Sequence, residues 1–184
     1  PIMDGDKPRP YAVLETISGT SQDILISGNA SGIQKSEVSI YCLSPSTGWW
    51  NGTGFTGDQQ QWFPANNLSP ANTTWMYTGF ASALISHSTY VAYSRTFDNA
   101  FNNALQSGNY ETVYDSKTFV YDITKPTSAI TRPSLQWYSD LADASADNKL
   151  PVISGTAFDQ FGISNVQVLV RDLTYTATYW QTGT

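Results

Sequence analysis

The chain reads as all-β, an antiparallel sandwich, and three observations lead there. Apolar residues recur at every second position, with almost no segment of 3.6-residue periodicity. Gly, Pro, Asn and Ser punctuate these alternating segments at short intervals. A set of landmarks also occurs twice in the same order. Ile26-Ser27-Gly28-Asn29-Ala30 returns as Ile153-Ser154-Gly155-Thr156-Ala157, and Asp4-x-x-Lys7-Pro8 returns as Asp122-x-x-Lys125-Pro126. Val38-Ser39-Ile40-Tyr41-Cys42 returns as Val166-Gln167-Val168-Leu169-Val170, and Trp50-Asn51-Gly52-Thr53-Gly54 loosely as Trp180-Gln181-Thr182-Gly183-Thr184. Slowly drifting spacing between landmarks marks a tandem repeat with small loop insertions, its second copy incomplete.

Taken in order, the first unit (residues 1–124) has expected strands at 11–17, 22–30, 36–44, 47–51, 73–80, 89–97 and 117–123. Val38, Ile40 and Cys42 alternate with polar neighbours, so one face of that strand is buried and the other solvated. The run Thr89-Tyr90-Val91-Ala92-Tyr93-Ser94-Arg95 is aromatic and β-branched, which suits a central strand. Phe119 and Tyr121 share one face of the last strand, with Val120 on the other. Asn51-Gly52-Thr53-Gly54 and Ser107-Gly108-Asn109 carry glycines suited to turns. Around 98–105, Phe101 and Leu105 stand at i, i+4, which fits either a helical turn or an irregular loop. Lys125-Pro126 then forms a stiff, extended joint. The second unit (125–184) has expected strands at 128–132, 150–157, 164–172 and 176–181, the N-terminal half of another sandwich. Half a sandwich exposes an apolar face and unpaired edges. Three outcomes fit: a fragment of a longer protein, a disordered tail, or completion by strands from a neighbouring segment or subunit. The reading favoured is a segment of a long surface protein or filament completed by strands of an adjacent segment.

Composition narrows the function. Of 184 residues, 40% are hydrophobic and 14% aromatic, enough to fill a sandwich core. Charged residues make up only 13%, about half the usual share. A hydroxyl-rich, aromatic surface of this kind suits an exported protein of the cell surface. The net charge is −6 and no Lys/Arg cluster occurs, which argues against nucleic acid as a partner. No apolar run approaches the roughly 20 residues of a membrane span. The chain opens on Pro1, as a processed or excised segment would. A single cysteine, Cys42, rules out an intrachain disulfide and is expected to be a small buried hydrophobe.

Catalysis finds little to work with, and no enzyme activity is expected. A serine triad needs a histidine between nucleophile and acid, and the only histidine, His87, sits in a Ser86-His87-Ser88 turn. The three glutamates, Glu15, Glu37 and Glu111, show no cleft pattern that would pair them across a glycosidic bond. One histidine and one cysteine cannot build a transition-metal site. Calcium needs only oxygen ligands. Asp98, Asp115 and Asp122 are the candidates in the first unit, with Asp140, Asp143 and Asp147 in the insertion 134–150; no other cofactor is expected.

Sugars form the other candidate partner class, because ring faces stack on sugar C–H surfaces while amides bond the hydroxyls. Trp49, Trp50, Trp62 and Trp137 are the candidate rings, with Trp75 expected in the core. Asn51, Gln59, Gln60, Gln61 and Asn66 supply amides. A strand sends adjacent residues to opposite faces, so only one of Trp49 and Trp50 points inward. Asn29, Asn51, Asn67 and Asn72 each begin an Asn-x-Ser/Thr sequon.

Three stretches resemble the bacterial immunoglobulin-like repeats of large surface and adhesin proteins. They are Ile153-Ser154-Gly155-Thr156-Ala157-x-Asp159-x-x-Gly162-Ile163-Ser164-x-Val166-x-Val168, then Tyr90-x-x-x-x-Arg95-x-x-Asp98-x-Ala100, then Phe119-x-Tyr121-Asp122-x-Thr124-x-Pro126. Two departures stand out. Phe101 replaces the glycine usual after Asp98-x-Ala100, and Ser31-Gly32-Ile33-Gln34 replaces the Asp-x-x-Gly turn in the first unit. Tyr90 resembles the tyrosine corner of such folds, with Ala92 where a cysteine is frequent. The resemblance implies a structural or adhesive extracellular role, with neighbouring copies as partners and surface glycans as the alternative ligand. It implies no catalysis.

Overall fold

The computed structural model describes residues 3–4, 7–8, 10–23, 30–67, 73–102, 107–135, 137–139, 149–174 and 178–179. The chain divides into two units, Pro1–Thr124 and Lys125–Thr184. Among the described residues all strand pairings are antiparallel apart from one isolated parallel bridge between Tyr11 and Tyr121. Among the described residues there is no α-helix, only a 3-10 turn at Ala81–Ala83. Among these residues no helix is long and apolar enough to cross a membrane.

In the first unit, β1 (Met3–Asp4) and β2 (Lys7–Pro8) form a small ribbon. β3 (Ile17–Thr20), β8 (Asn66–Asn67) and β9 (Thr74–Tyr77) form a three-stranded sheet in the order β3-β9-β8. The larger sheet has seven strands: β4 (Ile33–Ser44), β5 (Gly48–Trp50), β6 (Phe55–Gly57), β7 (Phe63–Pro64), β10 (Ser88–Asn102), β11 (Ser107–Tyr110) and β12 (Asp115–Tyr121). The 15-residue β10 is its spine. It pairs with β4 along one edge, and with β12 and then β11 along the other.

Alternation places the core. Val38, Ile40 and Cys42 of β4, Trp50 of β5, Phe55 of β6, Tyr90 and Ala92 of β10 and Phe119 of β12 form one buried cluster with Phe80 and with Trp75 of the smaller sheet. The two sheets thus pack face to face across one core, a sandwich-like arrangement. Each fully buried large side chain contributes about 1.5–3 kcal/mol of transfer free energy. Several polar side chains inside are paired. Trp50 Nε1 donates to Tyr77 Oη across the two sheets (2.7 Å), and Ile85 N donates to Tyr90 Oη (2.8 Å). Ser21 Oγ lies 2.9 Å from Ser36 Oγ and 2.8 Å from Thr96 Oγ1, a hydroxyl plug beside the core.

Several expected elements differ. The segment 11–17 is not a strand: its chain contributes the bridge at Tyr11, exposes Val13, and joins a sheet only at Ile17. Of 22–30, residues 24–29 lie outside the described set. The helical turn over 98–105 is replaced, as far as it is described, by strand: β10 runs on to Asn102, with an irregularity between Phe97 and Phe101 where it pairs with β11. Asp98 Oδ1 accepts hydrogen bonds from Ala100 N (3.1 Å) and Asn109 N (2.8 Å), so it ties the two strands there. Cross-strand pairing with a segment distant in sequence overrides the local i, i+4 signal. β6, β7, β8 and β11 were not anticipated.

The second unit holds β13 (Thr127–Arg132) paired with β14 (Ser154–Phe158), and β15 (Arg171–Asp172) paired with β16 (Thr178–Tyr179). The segment 166–170, expected as a second copy of β4, is not in a strand, and Val166, Val168 and Leu169 are exposed. In the first unit Val38, Ile40 and Cys42 are buried because strands pair with β4 on both sides. The 166–170 segment has no such flanking pair, so a similar sequence takes a different structure. The landmarks at 26–29 and 180–184 lie outside the described residues.

Candidate functional site

The residues of β4 and β10 that do not face the core share the outer face of the seven-stranded sheet. Cross-strand register pairs Val91 with Tyr41, Tyr93 with Ser39, Arg95 with Glu37, and Phe97 with Lys35. In an antiparallel sandwich this face is ordinarily polar. Here it is aromatic. Trp49, opposite Tyr41 on β5, packs its ring 4.8 Å from that of Tyr41 and 5.7 Å from that of Tyr93. The three half-buried rings are tilted to one another, by 52° and 44°. Beneath them in register, Ser39 is fully buried and its hydroxyl has no hydrogen-bond partner.

Two residues further along β10 stands an ion cluster. Glu37 Oε2 accepts from Arg95 Nε (2.8 Å) and Nη2 (2.6 Å), while Glu37 Oε1 accepts from Lys35 Nζ (2.7 Å). Burial alone would raise the Glu37 carboxyl, but the hydrogen bonds and charges of Lys35 and Arg95 outweigh it and hold the group below the usual range. The Arg95 guanidinium also lies 4.3 Å from the Trp62 ring centroid, and Trp62 meets Tyr114 edge-on at 4.8 Å. Lys35 Nζ sits 4.3 Å over Phe97. The cations are thus held by one carboxylate and by ring faces.

The four sequence-proposed tryptophans do not form one site. Trp49 and Trp62 lie on this outer face. Trp50 points the other way into the core at 3% exposure, as strand alternation requires of neighbours, and Trp137 is exposed in the second unit. Tyr41, Tyr93 and Tyr114 complete the face and were missed. The first two could have been found by continuing the alternation outward from Val38, Ile40 and Ala92; Tyr114, in a connection, carried no such signal.

The three aspartates proposed for calcium are spread out. Asp98 bonds Ala100 and Asn109, while exposed Asp115 has Lys117 Nζ 3.9 Å away. Asp122 follows the far end of β12 and accepts Ser86 Oγ (2.8 Å) and Thr124 N (2.9 Å). Among the described residues no group of three or more His, Cys, Asp or Glu side chains is placed to hold a metal ion. Asp140, Asp143 and Asp147 lie outside the described residues. His87, at φ 64° in the left-handed region, has Nε2 3.3 Å from Asp122 Oδ1. Ser86 Oγ donates to that same carboxylate oxygen. Asn51 is engaged in its own turn, Oδ1 accepting from Thr53 N and Gly54 N.

A second concavity opens at the sandwich edge between β3 and β12. It encloses about 290 Å³ and is lined by Thr20, Trp75, Thr96, Glu111, Asp115 and Lys117 among others. Burial, and then the charge of Asp115, raise the Glu111 carboxyl above its ordinary value.

No protein-family model matches the chain, and neither a curated protein nor a solved structure matches it.

Proposed function

We propose that the chain is a structural and adhesive segment of an extracellular surface protein or filament, built from immunoglobulin-like sandwiches used in tandem, and that it carries out no catalysis. One observation carries this reading. In the second unit Ile130, Phe158, Val166, Val168, Leu169 and Leu173 are exposed, around ribbons of two strands each. Two-stranded ribbons are marginal in water and need a further layer. A neighbouring segment or subunit that adds strands supplies it by main-chain pairing. The immunoglobulin-like assignment is supported by the two antiparallel sheets around one core, and by the Tyr90 hydroxyl bonded to the backbone five residues upstream.

The test is surface labelling with an antibody raised against this chain. Intact, unpermeabilised source cells should be stained, and external protease should remove the stain. Staining that requires permeabilisation refutes the reading.

A further inference from the structure

We infer that the outer aromatic face of the seven-stranded sheet, centred on Trp49, binds a neutral, soluble polysaccharide chain. The inference rests on the adhesive reading in that it names the partner class which the segment would hold. Three features of the face support it.

The first is pre-organisation. Tyr41, Trp49 and Tyr93 are already in ring contact, at 4.8 and 5.7 Å, on paired strands of the sheet. Little side-chain freedom remains to be lost on binding, which lowers the cost of association. Half-buried rings still present apolar surface, and the two tyrosines are residue types that carry a phenolic hydroxyl. A sugar ring matches both, with an apolar C–H face and hydroxyls around its rim.

The second is charge. Of the cations on this face, Arg95 gives two donors to Glu37 and Lys35 gives one to the same carboxylate. Glu37 thus offsets part of their charge, and the chain as a whole carries −6. A sulfated or uronic polymer would meet overall repulsion. A neutral one would not.

The third is the tilt. The Tyr41 and Tyr93 rings are inclined to Trp49 by 52° and 44°, so no single plane lies face-on against all three. The surface of a crystalline polysaccharide is flat and would not stack on all three rings at once. A single dissolved chain, whose successive sugars rotate about their linkages, can present a face to each ring in turn.

The experiment titrates the full chain with cellohexaose, xylohexaose, mannohexaose and chitohexaose, followed by calorimetry and tryptophan emission. Alginate and heparin hexamers and microcrystalline cellulose are run alongside. At least one neutral hexasaccharide is expected to bind with a Kd between about 10 μM and 1 mM, with the anionic hexamers and the flat surface at least about tenfold weaker. Trp49→Ala should weaken binding by about tenfold or more, and Trp137→Ala, in the second unit, should leave it unchanged. Should Trp49→Ala lose its folded circular dichroism spectrum, Tyr93→Ala and Trp49→Phe replace it, and an intermediate affinity is expected for the phenylalanine variant. The inference is overturned if no neutral hexasaccharide binds, if only anionic hexamers or cellulose bind, if affinity follows Trp137 and not Trp49, or if Trp49→Ala abolishes self-association without any sugar affinity. The two proposals fail separately: surface staining without sugar binding removes this one alone, and sugar binding by a chain found only inside cells removes the adhesive reading alone.

Discussion

Glu37 is the residue on which the outer face turns. It is 8% exposed, yet it accepts three charge-assisted hydrogen bonds from two cations. Its folded pKa is depressed below the ordinary carboxylate value, so its contribution is fully present above the unfolded pKa of about 4.3 and is lost as pH falls through the folded value. Glu37→Gln should therefore cost about 1–3 kcal/mol in urea unfolding at pH 7, with the gap to wild type closing in acid; a gap independent of pH would contradict the assignment. Ser39 makes the opposite case. Its buried hydroxyl has no partner, so the folded state already bears its desolvation. Ser39→Ala should leave stability unchanged or raise it by up to about 1 kcal/mol; a clear loss would reveal a bond that the structure does not contain.

At the scale of elements, close approach governs how neighbouring strands sit within each sheet. A Cβ added at Gly19 of β3 would run into the Trp75 indole, and one at Gly108 of β11 would run into the Asp98 carbonyl. Glycine is required at these positions for space rather than for an unusual φ. Gly19→Ala must displace either β3 or a ring that fills the core, and over-packing of this kind costs about 1–3 kcal/mol. The thermal midpoint should fall by several degrees, and an unchanged midpoint would mean that β3 is not seated on Trp75. Elements also show how far local reading reaches. Alternation through Val38, Ile40 and Cys42 identified β4 and its inward face, and it split Trp49 from Trp50. The 98–105 segment was misread because Phe101 and Leu105 carry a helical spacing, while the β10–β11 pairing that decides the outcome is made with residues 107–110. The scattered aspartates have a similar cause. Asp115 and Asp122 bracket opposite ends of one strand, a separation that strand boundaries set and composition does not reveal.

For the whole molecule, the contrast between the units is the main consequence. β4 and β10 are paired on both edges and cover one apolar cluster, whereas among the described residues β13 and β14 pair only with each other. Backbone amides in the centre of β4 and β10 should therefore resist hydrogen exchange to near the global unfolding limit, and those of β13 and β14 should exchange orders of magnitude faster in the isolated chain. If a neighbouring segment or subunit adds a strand to the second unit, as proposed, its addition should slow exchange there and leave β4 and β10 unaffected. Equal protection of both units in the isolated chain would show that the second unit needs no completion.

The all-β class, the inward positions of the first unit's central strands and the opposed faces of Trp49 and Trp50 follow from the order of residues alone, because alternation is a property of neighbours along one strand. The aromatic face needed the folded chain. Trp62 meets Arg95, and Trp49 meets Tyr93, only after β4, β5, β7 and β10 pair in one particular register, and register is chosen by contacts between segments far apart in sequence. For the same reason 38–42 and 166–170, alike as strings, end in different structures: a strand is made by its neighbours as much as by its own residues.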